Sequence, residues 1–199
     1  MNEKQQILEQ LDEINSSLFD SQKFVPYNYN VLVLWGFVSA LLFLTFDIIA
    51  SYEIIYSIGY LGSIIFVTML IEKYYIKQEN IKYDLEKFTK TQKFIESLYT
   101  FTTIISLFLT YLFFINDMVF YIYLIWMIMI AFTNYIVGFI INNKYFTTVG
   151  IMTMSVVFAV FTISFIFSPD ILSDYIKFIA VMFSSFGCMF IGIKSKKEV

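Results

Sequence analysis

Hydroxyl side chains that could line a polar path are the first candidates for chemistry in this sequence. They recur within two apolar runs, at Thr103, Ser106 and Thr110 in one and at Ser155 and Thr162 in the other. Spacings of three, four and seven residues place each set on one face of a helix. Such a stripe suits either close packing of helices or a hydrated pathway for an ion. Both interpretations stay open at this point.

Carboxylates form a second candidate group. Asp47, Glu53, Asp117, Asp170 and Asp174 all fall near the ends of apolar runs that face the lysine-poor side of the membrane. An acidic rim concentrates cations. The hydroxyls and this outer acidic rim together predict a cation path, lined by one chain or by a ring of copies. The alternative is that excluding lysines from one side simply leaves acids there.

Few groups could support enzymatic chemistry. The sequence contains no histidine and a single cysteine, Cys188, inside an apolar run. We therefore expect no metal site, no cofactor and only a packing role for Cys188. A hydrolase or transferase working within the membrane would need a nucleophile with a base, or paired carboxylates, at that depth. The sequence predicts a non-enzymatic protein.

Asn134 and several small residues are predicted to hold helices together. An amide inside an apolar run is more often an interhelical hydrogen-bond clip than a ligand for a substrate, which is the role we assign to Asn134. Small residues that lie four apart allow helices to approach closely. They occur at Gly36 and Ala40, Gly59 and Ser63, Ser155 and Ala159, and Ser184, Cys188 and Gly192.

Membrane-spanning helices must position these groups. Of the 199 residues, 59% are hydrophobic and 15% charged, against about 45–50% and 25% in soluble domains. Six apolar runs approach the roughly 20 residues that a tilted span needs. We predict an all-α polytopic transmembrane bundle of six spans, arranged as three hairpins at 29–72, 97–141 and 146–193. The spans are 29–51, 54–72, 97–116, 118–141, 146–167 and 172–193.

The lysines orient this bundle. All basic residues are lysines, and all except Lys177 fall in the N-terminal segment, in residues 73–96, in the loop near Lys144 or in the tail 194–199. Basic residues accumulate on the cytoplasmic side, so both termini are predicted to be cytoplasmic, with Tyr29 and Trp35 in the inner aromatic belt. Lysine without arginine is typical of an AT-rich bacterial genome, which indicates the inner membrane. The net charge of −3 argues against a nucleic-acid partner.

Two cytoplasmic segments carry helical apolar seams. Residues 1–24 are predicted to form an amphipathic helix whose polar face is acidic and therefore unsuited to an anionic lipid surface. Residues 73–96 are predicted to continue span two as a helix. Residues 1–24 have a net charge of −3 and residues 72–93 have a net charge of +2. These opposite charges favour pairing of the two segments. The residues of the apolar seams are Ile7, Leu11, Ile14 and Leu18 in segment 1–24, and Ile81, Leu85 and Phe88 in segment 73–96.

The overall layout resembles a group of uncharacterised bacterial six-span membrane proteins. The resemblance rests on the polar amphipathic N-terminal helix, the six spans and the loop Asn142-Asn143-Lys144-Tyr145-Phe146-Thr147, and it implies no activity. The leading functional prediction is a membrane-embedded protein with an assembly or regulatory role, acting through a homo-oligomer or a cytoplasmic protein partner. The alternative is an oligomeric cation channel or a pore-forming effector, for example of a bacterial defence or stress system.

Overall fold

The computed structural model describes residues 28–51, 54–82, 90–167 and 169–196. Every regular element in these ranges is a helix, which confirms the all-α prediction. The side chains of Asp47, Asp170 and Asp174 lie outside the described part of the chain. So do the predicted amphipathic helix with Ile7, Leu11, Ile14 and Leu18, the loop residues Leu85 and Phe88, and Glu53.

Seven α-helices and one π-helical segment make up the described residues. They are α1 Asn30–Ala50, α2 Ile54–Lys82, α3 Lys90–Phe114, α4 Val119–Ile140, α5 Lys144–Ser164, α6 Pro169–Ala180 and α7 Phe186–Lys196, with a π segment, Val181–Ser185, between α6 and α7.

Five of the helical stretches are long and apolar enough to cross a membrane. They are Ile55–Lys82, Lys90–Phe114, Val119–Ile140, Lys144–Ser164 and Tyr175–Lys196. The chain therefore has the multi-pass helical character of a membrane-embedded protein. The apolar stretch of α1, Asn30–Phe46, is shorter, so a sixth span stays a prediction.

Short connections join α1 to α2, α3 to α4 and α4 to α5, and local chemistry explains two of these turns. Asp117 and Asn142 have positive φ angles of 55° and 52°, a conformation that aspartate and asparagine tolerate better than most residues. Asn143 then caps α5, because its side chain accepts a hydrogen bond from the backbone N–H of Tyr145 at 3.0 Å. The asparagine pair thus ends α4 and starts α5 within three residues.

The packing between α4 and α5 depends on two glycines. A Cβ atom at Gly150 would lie 2.8 Å from the carbonyl oxygen of Ala131, and one at Gly138 would lie 2.6 Å from the backbone nitrogen of Thr147. Real Cβ contacts are longer, so only glycine permits this separation. Lipid supplies no hydrophobic force between helices, and such close approach is what replaces it.

A second close contact joins α1 to the π segment and α7. A Cβ at Gly36 would lie 2.6 Å from the carbonyl oxygen of Ser185, and one at Gly192 would lie 2.7 Å from that of Tyr29. Ser39 also donates to the Ser185 hydroxyl at 2.8 Å. By contrast, a Cβ at Gly59 on α2 would meet no atom within 4 Å. The same spacing of small residues therefore accompanies a close helix contact on α1 but not on α2.

The π segment lies within the stretch 172–193 that was predicted as one span, and it changes the regular α-helical hydrogen bonding there. The backbone N–H of Phe186 donates to the carbonyl of Val181, five residues back, and the carbonyl of Phe183 accepts from the Thr153 hydroxyl of α5 at 3.1 Å. The side chains of Ser184 and Ser185 are fully buried here. A serine pair at a helix distortion is a known association, but spacing alone did not predict the π turn.

We expect Gly150→Ala to lower the unfolding free energy by about 1–3 kcal/mol, as overpacking does, although alanine is the better helix former. The reason is the contact that the new methyl group makes with the α4 backbone. Gly59→Ala is the matched control and should not reduce stability. Thermal unfolding of both variants in one detergent measures the difference, and equal midpoints would contradict the packing assigned to Gly150.

Candidate functional site

A cavity of about 300 Å³ lies between α1, α2, α3 and α4. It lies along the inward face of α2, which packs loosely on α3. Leu61 and Ile65 in the first half of this face and Glu72 further along all line the cavity. The loose packing of α2 on α3 leaves this space open.

The cavity walls change character along its length. Toward the α1–α2 turn the lining is apolar, and toward the ends of α2 and α3 that carry lysines it gains charged and amide side chains. The apolar part includes Phe43, Phe46, Leu61, Ile65 and Ile122, and the polar part includes Trp35, Glu72, Lys73, Gln92, Glu96, Tyr99 and Asn134. The cavity is thus amphipathic, with one apolar and one polar end.

Glu72 is the acidic side chain at the polar end that has no ion-pair partner among the described residues. Its carboxylate accepts a hydrogen bond from the indole N–H of Trp35 at 2.9 Å, the one hydrogen bond it receives from described residues. The neighbouring ammonium of Lys73 is instead held by the Glu96 carboxylate at 2.8 Å. Because Lys73 and Glu96 neutralise each other, the charged lining residues carry one negative charge in excess.

Two amide contacts brace the polar end. Asn80 on α2 and Gln92 on α3 exchange hydrogen bonds of 3.3 and 2.7 Å, and both side chains are buried. Tyr99 on α3 donates to the Asn134 side-chain oxygen of α4 at 3.2 Å. These pairs hold α3 between α2 and α4, and so keep the cavity at a defined width.

Asn134, the predicted interhelical clip, lies between three helices. Its oxygen accepts the hydrogen bond of Tyr99, and its nitrogen donates to the Cys188 sulfur of α7 at 3.7 Å. Its side chain is 1% exposed, so both polar atoms are satisfied within the bundle. Cys188 is buried as well, which agrees with a packing role.

The structure separates the predicted pore-lining hydroxyls into two groups. Thr103 and Ser106 line the cavity, and Thr110 next to them accepts from the indole N–H of Trp126 at 2.9 Å. Ser155 and Thr162 are exposed on α5 and donate to backbone carbonyls four residues earlier. In the described part of the chain no α5 residue lines the cavity. One chain therefore does not bring the two sets together.

Other predicted site residues lie apart from the cavity. Asp117 is exposed in the α3–α4 turn, the one member of the acidic rim whose side chain is described. Ile81 of the predicted cytoplasmic seam is 61% exposed near the end of α2. Neither residue contributes to the cavity walls.

The cavity itself was not predicted from the sequence. The sequence predicts Trp35 in the inner aromatic belt and Glu72 in the charged cytoplasmic segment. In the structure the two side chains are hydrogen-bonded to each other and both line the cavity. A usable signal is that the two residues lie at similar distances along the chain from the α1–α2 turn, which an antiparallel hairpin converts into equal depth. No feature of the sequence predicts the width of the cavity.

No family model matches this chain, and no curated protein or solved structure resembles it significantly.

A double-mutant cycle of Tyr99→Phe and Asn134→Ala tests the clip. We expect a coupling free energy of about 0.5–1.5 kcal/mol, the range of hydrogen bonds between helices in membranes. Tyr111→Phe is the matched control, because Tyr111 is exposed on the same helix and should not couple to Asn134. Unfolding of the unaltered protein, the three single variants and the two double variants in mixed micelles gives these values. Zero coupling for Tyr99 would show that the bond does not stabilise the bundle.

Proposed function

We propose that this chain is a non-enzymatic protein of the bacterial inner membrane, with six spans and cytoplasmic termini, that assembles or regulates through its cytoplasmic helices. The observation that carries the proposal is the continuation of α2 as one helix to Lys82. Its 29 residues correspond to about 44 Å at 1.5 Å per residue, whereas a hydrocarbon core is about 30 Å thick. The last turns of α2 therefore extend beyond the lipid.

Three side-chain contacts join this extension to α3. The buried exchange of hydrogen bonds between Asn80 and Gln92 and the ion pair of Lys73 with Glu96 join the two helices where α3 begins. Buried amide pairs with both partners satisfied favour one arrangement over others. An extension joined in this way can present a defined surface to a partner, which a mobile loop cannot.

The outward surface of the extension suits a protein contact. Tyr74 and Ile81 are each 61% exposed, and Lys77 is exposed between them. Large apolar side chains beyond the lipid are commonly covered by another protein surface. The acidic segment 1–24 has the complementary charge, so we assign self-association to contacts between that segment and this extension, within one chain and between copies.

Native mass spectrometry of the detergent-solubilised full chain tests this assignment. We expect Ile81→Asp and deletion of residues 1–24 each to lower the number of copies, because one removes the apolar contact and the other its partner. Gln78→Asp is the matched control, since it adds the same charge to an exposed position of the same helix. An unchanged copy number in both altered proteins would contradict self-association through this surface.

An oligomeric cation channel or pore-forming effector is the second candidate. The observation that favours it is a stripe of exposed hydroxyls on α5, formed by Thr148, Ser155 and Thr162 at intervals of seven residues. A ring of copies that met along this face would place the stripe around a common axis. The acidic rim would then lie at the mouth of that path and raise the local cation concentration.

Cation flux into liposomes that contain the purified protein tests the channel. The triple variant Asp117→Asn, Asp170→Asn, Asp174→Asn should reduce flux several-fold at low ionic strength and less at high ionic strength, because salt screens surface charge. Glu79→Gln, near the opposite end of the bundle, serves as the control and should leave flux unchanged. Equal flux in the triple variant and the unaltered protein would remove the role of the rim.

A further inference from the structure

We infer that the cavity between α1, α2, α3 and α4 is a binding site for a lipophilic organic cation, a single positive charge carrying aromatic or aliphatic groups. The site is independent of the proposed function in assembly, since the outward surface of α2 and the cavity lie on different faces of that helix. Charge, wall chemistry and access each support this ligand class.

The first argument is the charge of Glu72. Its carboxylate faces the cavity and has one hydrogen-bond donor, Trp35, among the described residues. Lys73 forms no ion pair with it, because that ammonium is held by Glu96 at 2.8 Å. A carboxyl group among apolar side chains is stable either protonated or paired with a cation, and a cationic ligand would stabilise the ionised, paired form. An anion would meet the one negative charge that the lining carries in excess when Glu72 is ionised, and it is disfavoured.

The second argument is the chemistry of the remaining walls. Indole and phenol rings of Trp35, Tyr99 and Trp126 line the cavity, and the rest of it is largely aliphatic and phenylalanine side chains. Aromatic faces attract organic cations, while an inorganic ion would require several oxygen ligands. The described residues include no group of three or more acidic, histidine or cysteine side chains that could hold a metal ion. The walls therefore select a cation with an apolar body.

The third argument is size and access. A volume of about 300 Å³ lies at the lower end of the range for small-molecule sites, about 300–1,000 Å³. Phe66 on α2 and Thr100 on α3 line the cavity and are also exposed at the surface of the bundle. The cavity thus opens between α2 and α3, where a lipophilic ligand dissolved in the bilayer could enter.

Intrinsic fluorescence offers a direct test, because both tryptophans of the chain, Trp35 and Trp126, line this cavity. The full-length protein in lipid nanodiscs is titrated with tetraphenylphosphonium, and separately with tetraphenylborate, an anion of the same shape. We expect a saturable change in tryptophan emission with the cation only. Equal responses to both ions, or no saturable response to the cation, would overturn the proposal and indicate simple partition into the lipid.

Variants locate the binding within the protein. Glu72→Gln should weaken binding of tetraphenylphosphonium by about tenfold or more, because an ion pair shielded from water contributes more than an exposed one. Glu79→Gln is the matched control, since Glu79 lies two turns further along α2 and bonds Asn28 and Lys82 outside the cavity. Unchanged affinity in Glu72→Gln would contradict the assigned charge contact.

A second variant distinguishes loss of the site from loss of the fold. Thr103→Phe places a large apolar group into the cavity without changing its charge, so it should abolish saturable binding while the protein stays monodisperse with an unchanged helix content. Retained binding in Thr103→Phe would overturn the location. The number of copies is measured on the same samples. Loss of binding with an unchanged number of copies would show that ligand binding in the cavity and self-association are separate properties.

Discussion

This bundle depends on one constraint, close van der Waals contact between its helices. In a hydrocarbon solvent, apolar side chains gain no hydrophobic free energy by moving from lipid into contact with one another. The chain meets this constraint at Gly138 and Gly150, where α5 approaches the α4 backbone, and at Gly36 and Gly192, where α1 approaches α7. These contacts define a tight half of the molecule. On α2, Gly59 has no such neighbour, and the looser packing of that helix leaves the cavity beside it.

Polar groups inside the bundle follow a second rule, that each must find a partner without water. Most hydroxyls satisfy it locally, as Ser106 and Thr110 do by donating to carbonyls one turn earlier. Side chains that reach other helices occur both beside the polar end of the cavity, at Trp35 and Tyr99, and in the tightly packed region, at Ser39 and Thr153. The molecule therefore distributes its interhelical hydrogen bonds over both its loosely and its tightly packed parts.

The sequence predicts which residues form helices, but it does not predict how closely neighbouring helices approach one another. Apolar runs longer than any soluble core requires made the all-helical, multi-pass character predictable. The loop assigned to 142–147 is shorter in the structure, because α5 already begins at Lys144. Identical spacings at Gly36 and Gly59 could not reveal that one meets a neighbouring backbone and the other nothing, since that depends on which helix lies opposite. The placement of Glu72 was ambiguous for the same reason. A charge at the end of an apolar run can face water or a cavity, and only the position of α1 decides.

The π segment Val181–Ser185 has a consequence for how this chain can vary in evolution. A π turn holds about one residue more than an α turn, so it absorbs the extra residue, and removing one residue there would restore a regular helix while leaving the later residues on the same faces. Cys188 and Gly192 would then still face Asn134 and Tyr29, which they contact now. Homologues with a one-residue gap at this point should consequently retain small residues at these two positions, whereas a one-residue gap in the regular helix of α6 would rotate everything after it by about 100°.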